Sequence, residues 1–525
     1  MSDTPRLRLG TRRSALAWVQ SSQVAAALRA AHPGLEIEMV GIETRGDRII
    51  DVPLSGIEGK EFFTAEIDAA LLEGRVDLTV HSLKDLSLER PTPLLLGAIP
   101  RRANPRDIAI FAPDALQRLQ AGEGLRIGTA SPRRQQLLPS FFKRALPHGE
   151  RNTITLEPLR GNVDGRLRRL REPRGSERHL DGVVLALAGL TRLFADTATE
   201  RQGQALLTTL LQDLPLMVLP LTDCPAAPGQ GALAIECRAG DARTRAILAA
   251  LEHAPTRAAV AAERAVLAQH GGGCHQRFGA TQLWVPGGGA VVLIGGVASD
   301  GNDITGRRWT PATPLAPPPA NPRAWDGSDV TDAPTLQPLL DAAGLAPQLA
   351  DRAAVFVAHS RALPAGAASA LQGKRVWTSG SASWFRLAAQ GVWVEGCAEG
   401  LGATVAAELV TEPVLRLPAT PEWTVLTHAG AEAGWQEGPW QGSAVTATYT
   451  STDAALPDTA ALAAATHVWW SSVSQFEAGR AHVRADAHHA CGPGKTADHL
   501  RRAGMTQLTP FPSVEEWHQW LARAR

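Results

Sequence analysis

The chain has 525 residues, with 52 basic and 52 acidic side chains, so no net charge draws it toward nucleic acid or an anionic membrane. Its 44% hydrophobic and 20% charged content is that of a globular protein, and its length requires several cores. Five widely spaced cysteines without a CxxC argue against a disulfide framework or a structural zinc, and no apolar run reaches the roughly 20 residues that span a bilayer.

RLRLGTR is predicted as a strand, SALAWVQSSQVAAALRAAH as a helix and LEIEMVGIET as a second strand. FFTAEIDAALLEGR follows as helix and DLTVHSL as strand, and the alternation continues through LRIGTA, NTITLEPLR and LDGVVLALAGL. This is the pattern of α/β domains with mainly parallel sheets, whose ligands gather beyond the carboxyl ends of strands. The pairs and motifs TR at 11–12, HSLKD at 81–85, SPRR at 131–134 and RGN at 160–162 all follow predicted strands. A third unit is expected near 240, with the helical ARTRAILAALEHAPTRAAVAAERAVLAQ, then HGGGCHQRFGA and the strand AVVLIGGVAS. TPATPLAPPPANPRAWDGSDVTDAP, 310–334, reads as a linker or an inserted loop. After about 350 the α/β rhythm returns in AAVFVAHS, KRVWTSG, EWTVLTHAG, SAVTATYT and THVWWSS. Strand–Ser endings at 376–380 and 468–472 suggest two related subdomains. Composition alone gives the 14 tryptophans, against one tyrosine, no functional meaning.

Residues 124–192 are locally basic. Arg168–Arg178 read as a solvated face, but Arg133 and Arg134 of SPRR and Arg160 and Arg166 of LRGNVDGR lie beside strand ends and Gly or Ser turns. Guanidinium forks there suit carboxylates or phosphates. A small polyanion is favoured over nucleic acid, because Phe141, Phe142 and Phe194 do not interleave with the bases as a stacking platform would. Lys84 and Asp85 leave the strand DLTVHSL together, either as a structural ion pair or to stabilise a substrate cation and manage protons. His81 reads as a packing or supporting residue. No HExxH, full Walker motif or GxGxxG is present, so no metal or nucleotide is expected. Cys274, behind three glycines, could be a nucleophile, a metal ligand, an attachment point or an inert thiol. His275 beside it would point away on an extended segment, which disfavours a hydrolase triad. Cys224 and Cys237 read as packing residues.

Taken together, GTRRSALAWVQ, IETRGD, EGKEFFTAEID, VDLTVHSLKDLS, NPRD, IGTASPRRQQL, LRGNVDGRL, DGVVLALAGLTRL, APGQGALAIECR and GGGCHQRFG run in one order to roughly 310. In that order they resemble the porphobilinogen deaminase (hydroxymethylbilane synthase) family. The resemblance implies an α/β multidomain fold with two periplasmic-binding-protein-like α/β domains and a smaller third. On that plan 1–112 with 214–239 form the first domain, 113–213 the second, and 240–309 the third, which carries the cofactor cysteine. It implies a dipyrromethane joined to Cys274 through a thioether, held also by Lys84, Asp85, Arg133 and Arg134. Asp85 would stabilise cationic pyrrole intermediates, while Arg12, Arg160, Arg166 and Arg192 would bind substrate acetates and propionates. Porphobilinogen would lose ammonia to an azafulvene and be attacked by the free α-carbon of the growing chain; after four rounds hydrolysis would release hydroxymethylbilane. Ser87, Glu61 and the HQR after Cys274 depart from the usual family residues.

VFVAHSRAL, KRVWTSGSASWF, VTATYTSTDAAL, VWWSSVSQFEAG and ACGPGKTADHLRRAGM, followed by PFPSVEEWHQWL, resemble the uroporphyrinogen-III synthase family. The resemblance implies a shortened, two-subdomain α/β unit over 351–525, with 310–350 a linker or an extension of the third domain. This unit would cyclise hydroxymethylbilane with inversion of its terminal ring. Tyr449 would assist loss of the terminal hydroxyl, and Ser471, Ser472 and Thr496 would bind carboxylates. The alternatives are a degenerate interaction module in that half and, remotely, a non-enzymatic anion-binding receptor. The expected partners are porphobilinogen and hydroxymethylbilane, with no nucleic acid or membrane. A monomeric deaminase part and, given the polar start MSDTPRLRLG, a cytoplasmic setting are also expected.

Overall fold

The computed structural model describes residues 6–44, 64–195, 203–272, 276–285, 288–318, 321–328, 336–401, 408–437, 440–451 and 459–524. Cys274, His275 and the EGKEFF stretch with Glu61 lie outside the described residues. Two compact units emerge, one built from most of residues 1–306 and the other mainly from 307–525.

In the first unit, alternation in RLRLGTR makes β1 (Arg6–Arg12), which buries Leu7 and Leu9. Ser14 then starts the helix Ala15–Ala31 by accepting a hydrogen bond from the Ala17 amide. That helix lays Val24, Ala25 and Leu28 on the same core. β2 (Glu36–Ile42), β3 (Leu78–Ser82), β4 (Leu94–Ala98) and β10 (Leu233–Arg238) complete a five-stranded sheet in the order β2-β1-β3-β10-β4. β1 runs parallel to β2 and β3, whereas β10 returns antiparallel between β3 and β4.

A second five-stranded sheet contains β5 (Asp107–Phe111), β6 (Leu125–Thr129), β7 (Ile154–Pro158), β8 (Gly182–Ala186) and β9 (Leu216–Val218), in the order β7-β6-β8-β5-β9. It repeats the plan of the first: β6 is parallel to β7 and β8, and β5 enters antiparallel. The expected boundaries at 112 and 214 are therefore displaced. β5 pairs with β8 on one side and with β9 on the other, so both crossing strands belong to the second sheet, although the expected boundaries place them in the first domain. The boundary expected at 240 also moves, because Leu248 and Ile247 of the helix Ala242–Leu248 pack into the first sheet's core. β11 (Arg277–Val285), β12 (Gly289–Val297) and β13 (Gly306–Thr310) form a separate three-stranded sheet.

In the C-terminal unit, β15 (Leu336–Pro338), β16 (Ala354–Val357), β17 (Arg375–Thr378), β18 (Gly396–Cys397), β19 (Trp423–His428) and β20 (Ala444–Ser451) form a sheet in the order β15-β20-β19-β16-β17-β18. β14 (Ala324–Trp325), β21 (His467–Trp470), β22 (His488–Cys491) and β23 (Leu508–Pro510) form another, wholly parallel. The two strand–Ser endings, after β17 and β21, thus sit in different sheets. The 310–350 stretch is more than a linker: β14 pairs with β21, and β15 with β20. Most of the tryptophans belong to the cores, with Trp284 an exposed exception. Trp377, Trp384, Trp423, Trp440, Trp470 and Trp517 are fully buried, with Trp440 packed 4.6 Å from Phe356 and Trp470 5.4 Å from Phe476. Among the described residues no helix is long and apolar enough to cross a membrane.

Candidate active site

β3 ends in a short 3-10 turn, Leu83–Asp85. Leu83 is fully buried and its amide donates to the Ala232 carbonyl at 3.0 Å, which fixes the turn. Lys84 is left half-buried and Asp85 exposed. The Lys84 Nζ reaches Gln230 Oε1 at 3.4 Å. Gln230 is buried, and its Nε2 donates to Asp107 Oδ1 at 2.8 Å and to the Pro105 carbonyl at 2.6 Å. Gly231, next to it, has φ +85°, and a Cβ there would lie 2.4 Å from the Ala103 carbonyl oxygen, so this turn needs glycine. The Gly231 carbonyl accepts from the Ala103 amide at 3.1 Å and from Arg192 Nη2 at 2.6 Å.

Asp107, the first residue of β5, is fully buried and lies between two arginines. Arg133 and Arg134 occupy the first turn of the helix Pro132–Ala145, with proline at the position that tolerates it best. Arg133 Nη2 donates to Asp107 Oδ2 and Arg134 Nη2 to Oδ1, each at 2.7 Å. Their Nη1 atoms donate to the carbonyls of Pro225 and Val184. Burial works to raise the Asp107 pKa, but the two guanidinium groups outweigh it and hold the carboxyl well below the usual range.

These bonds leave work undone. Nε of Arg133, Nε of Arg134 and Nη2 of Arg160 are buried and have no hydrogen-bond partner among the described residues. Burial lowers the Lys84 pKa; Asp85 opposes this, and Arg134 adds to it. Arg166, on the helix Val163–Arg168, is lowered to about 10 by burial and then by Arg134. Arg192 is lowered to about 10 by burial alone. Lys84, Arg133, Arg134 and Arg166 therefore share one electrostatic neighbourhood, in which buried donors remain for an anion. That donor set fits the carboxylates of a dipyrromethane.

Arg12 ends β1 half-buried, and its charge acts on His81. His81 is buried, and burial first, then Arg90 and Arg12, push its pKa down to about 4 against the pull of Asp68. It lies 3.2 Å from Thr79 Oγ1 and 3.4 Å from Glu236. Asp68, His81 and Glu236 could by composition hold a metal, but Arg90 already bridges Asp68 at 2.6 Å and Glu236 at 2.8 Å. Arg90 is the counter-ion of this group.

Described residues on the N-terminal side of Cys274 reach the Asp85 segment. Arg264, on the helix Ala254–Gln269, donates to the Leu86 carbonyl at 3.0 Å and the Ser87 carbonyl at 2.8 Å. Gly272, at φ +65°, backs onto Leu88: an added Cβ would be 3.3 Å from its Cδ1. Gln276 Nε2 donates to the Gly272 carbonyl at 2.5 Å. Cys224 and Cys237 are buried and form no disulfide.

Sequence reasoning missed Asp107 and Gln230 as site residues. Their signals were NPRD and APGQG, short motifs whose partners lie far away in the chain.

In the C-terminal unit Tyr449 lies on β20, 5.9 Å from the His428 ring, and burial raises its pKa while Arg361 opposes. Ser472 starts the helix Val473–Gly479 by accepting from the Gln475 amide, and Ser471 Oγ donates to Gln475 Oε1 at 2.9 Å. Thr496 sits in the first turn of the helix Lys495–Arg502. Lys495 lies 3.5 Å over the Trp435 ring, so the loop after β22 meets the loop after β19.

A family model for the porphobilinogen deaminase dipyrromethane-cofactor-binding domain matches residues 7–246. The chain is 43% identical over 303 residues to the porphobilinogen deaminase of Roseiflexus castenholzii, covering 58% of this chain and 89% of that one. It is 41% identical over 296 residues to that of Trichlorobacter lovleyi, covering 56% and 83%. It is 42% identical over 299 residues to that of Xanthomonas oryzae pv. oryzae, covering 57% and 88%. Among solved structures, the BenM effector-binding domain with benzoate aligns over 51% of this chain and 95% of its own at 13% identity and a TM-score of 0.24, a score that carries no architectural weight. Through its N-terminal region, the chain belongs to the porphobilinogen deaminase family and bears that family's dipyrromethane-cofactor-binding domain.

Proposed function

We propose that residues up to about 310 condense four porphobilinogen molecules with loss of ammonia and release hydroxymethylbilane, with Cys274 as the covalent anchor. The observation that carries this reading is the convergence of Lys84, Arg133, Arg134 and Arg166 around buried, unpartnered guanidinium nitrogens. Bound dipyrromethane supplies the first nucleophilic pyrrole carbon and the tether. Arg133 and Arg134 meet acidic side chains with their free Nε atoms while Asp107 fixes their planes. Asp85, exposed at the strand exit, offers its carboxylate to pyrrole N–H groups and to the positive charge that develops as ammonia leaves. Arg12, Arg160, Arg166 and Arg192 bind further acetates and propionates. The test is porphobilinogen consumption by the purified chain together with its intact mass. An unmodified polypeptide from cofactor-competent cells, with no consumption, would sink the reading.

For residues 351–525 we propose cyclisation of hydroxymethylbilane to uroporphyrinogen III. This rests on the sequence resemblance, and the sheets lend it support: the loops after β19 of the six-stranded sheet and after β22 of the parallel four-stranded sheet come together at Trp435 and Lys495. Tyr449, its pKa raised by burial, stays protonated and can give its proton to the departing terminal hydroxyl. Ser471 follows the end of β21, Ser472 caps the next helix, and Thr496 sits in the first turn of the helix after β22. Separating type III from spontaneous type I product tests it. Type I alone from the wild-type chain would leave this half an interaction module.

A further inference from the structure

The carboxyl edge of the six-stranded sheet gathers positive groups that the proposed synthase reading has not used. β16, β19 and β20 are adjacent and parallel, with Val357 opposite Leu426 and His428 opposite Tyr449. Beyond β16 the chain carries His359 and Arg361, and the Arg361 amide donates to His359 Nδ1 at 3.0 Å. Arg386, on the helix Ser381–Ala389 that follows β17, reaches over to Ser360 Oγ at 3.4 Å. Three strand ends and one helix thus place Arg361, Arg386, His359 and His428 on the edge that also holds Tyr449.

Both arginines are exposed, and among the described residues neither has a carboxylate partner. Several other arginines of this unit do: Arg375 pairs with Glu395, Arg480 with Glu477, Arg484 with Asp486 and Arg501 with Asp498. Like charges held together without a counter-ion repel, and the repulsion is felt. The His359 pKa is lowered by burial first, then by Arg361, Arg386 and His428. An anion on this edge relieves that cost. Contact between Lys495 and Trp435 closes the same edge from the other sheet, and the Trp435 ring packs 5.3 Å from Phe356 of β16.

We infer that Arg361 and Arg386 form a carboxylate-binding site at the carboxyl edge of the six-stranded sheet, beside the His428–Tyr449 pair, which takes the acidic side chains of a tetrapyrrole. The inference rests on the synthase reading for its ligand class. Separate cations on different elements suit a ligand with several spaced carboxylates, each accepting a guanidinium fork. With the arginines gripping side chains, the tetrapyrrole is held against Tyr449, and Arg361 and Arg386 act as positioning residues.

The test uses the full chain and uroporphyrin III, a stable octacarboxylate, as probe. Binding is followed by calorimetry for wild type, R361Q/R386Q and the charge-keeping R361K/R386K, each with inorganic pyrophosphate as competitor. The glutamine pair should lose one binding site or weaken it about tenfold or more, the lysine pair should recover part of it, and the porphobilinogen consumption rate should not change. Where wild type yields type III product, the glutamine pair should also raise the KM for hydroxymethylbilane. Unchanged binding and KM in R361Q/R386Q overturn the site while leaving the synthase reading intact. Arginine-dependent probe binding with only type I product upholds the site and sinks the synthase reading. Pyrophosphate displacing the probe at equal concentration overturns the carboxylate preference.

Discussion

Arg134 donates a 2.7 Å hydrogen bond to Asp107 where both side chains are buried, and Arg133 matches it on the other carboxylate oxygen. One carboxylate thereby orients two guanidinium groups and leaves each with a buried Nε to offer a ligand. In Asp107→Asn the charge disappears and both arginines lose their counter-ion. Breaking a buried ion pair from one side costs about 3–5 kcal/mol, so urea unfolding should register a loss of that order, together with loss of porphobilinogen consumption. A variant as stable as wild type would show that the pair does not hold this part of the fold.

Asp85 is exposed at the end of its turn, so its removal should cost chemistry rather than stability. Asp85→Asn keeps the shape and removes the charge that the proposed reading sets against the developing cation. The turnover rate should fall about a hundredfold or more with an unchanged unfolding midpoint. Activity within a few-fold of wild type would remove Asp85 from the reaction.

Cys274→Ser replaces the thiol with a hydroxyl of similar size. Intact mass should show the bare polypeptide, where wild type carries the added mass of two linked pyrroles, and consumption of porphobilinogen should cease. Retention of that added mass in the variant would place the attachment at another residue.

His81 is held neutral, its pKa pushed down to about 4 by burial ahead of Arg90 and Arg12. An unfolded histidine titrates near 6.5, so between about pH 6.5 and 4 the unfolded chain binds the extra proton. Stability from this residue is full above 6.5 and drains as pH falls toward 4, by on the order of 3 kcal/mol. In His81→Gln the denaturant midpoint should depend less on pH across that window. A slope identical to wild type would mean that His81 does not govern acid stability.

Much of the N-terminal half was legible in the chain itself. RLRLGTR and DLTVHSL alternate as half-buried strands do, and HSLKD and SPRR fall after them, so the site's main cations could be placed at strand ends. The direction of those cations could not. Arg133 and Arg134 read as open clefts' arginines, yet their terminal nitrogens are spent on Asp107 and two carbonyls. β5 and β9 read as part of the first domain because nothing in five or three residues says which sheet they will join. The 310–350 stretch read as a linker because proline and glycine hide a two-residue strand such as Ala324–Trp325, which only its pairing with His467–Val468 defines.

The sequence by itself determined the alternation of strands and helices, the order of the deaminase motifs and the residue types that can grip a carboxylate, because periodicity and side-chain chemistry are local. The tertiary structure alone decided that Gln230 would bridge Lys84, 146 residues away in the chain, and Asp107, 123 away, and that Arg361 and Arg386 would share one sheet edge. Such pairings depend on which strands become neighbours and how much water is left between them. Both are properties of the folded sheet as a whole, and no single stretch of the chain carries them.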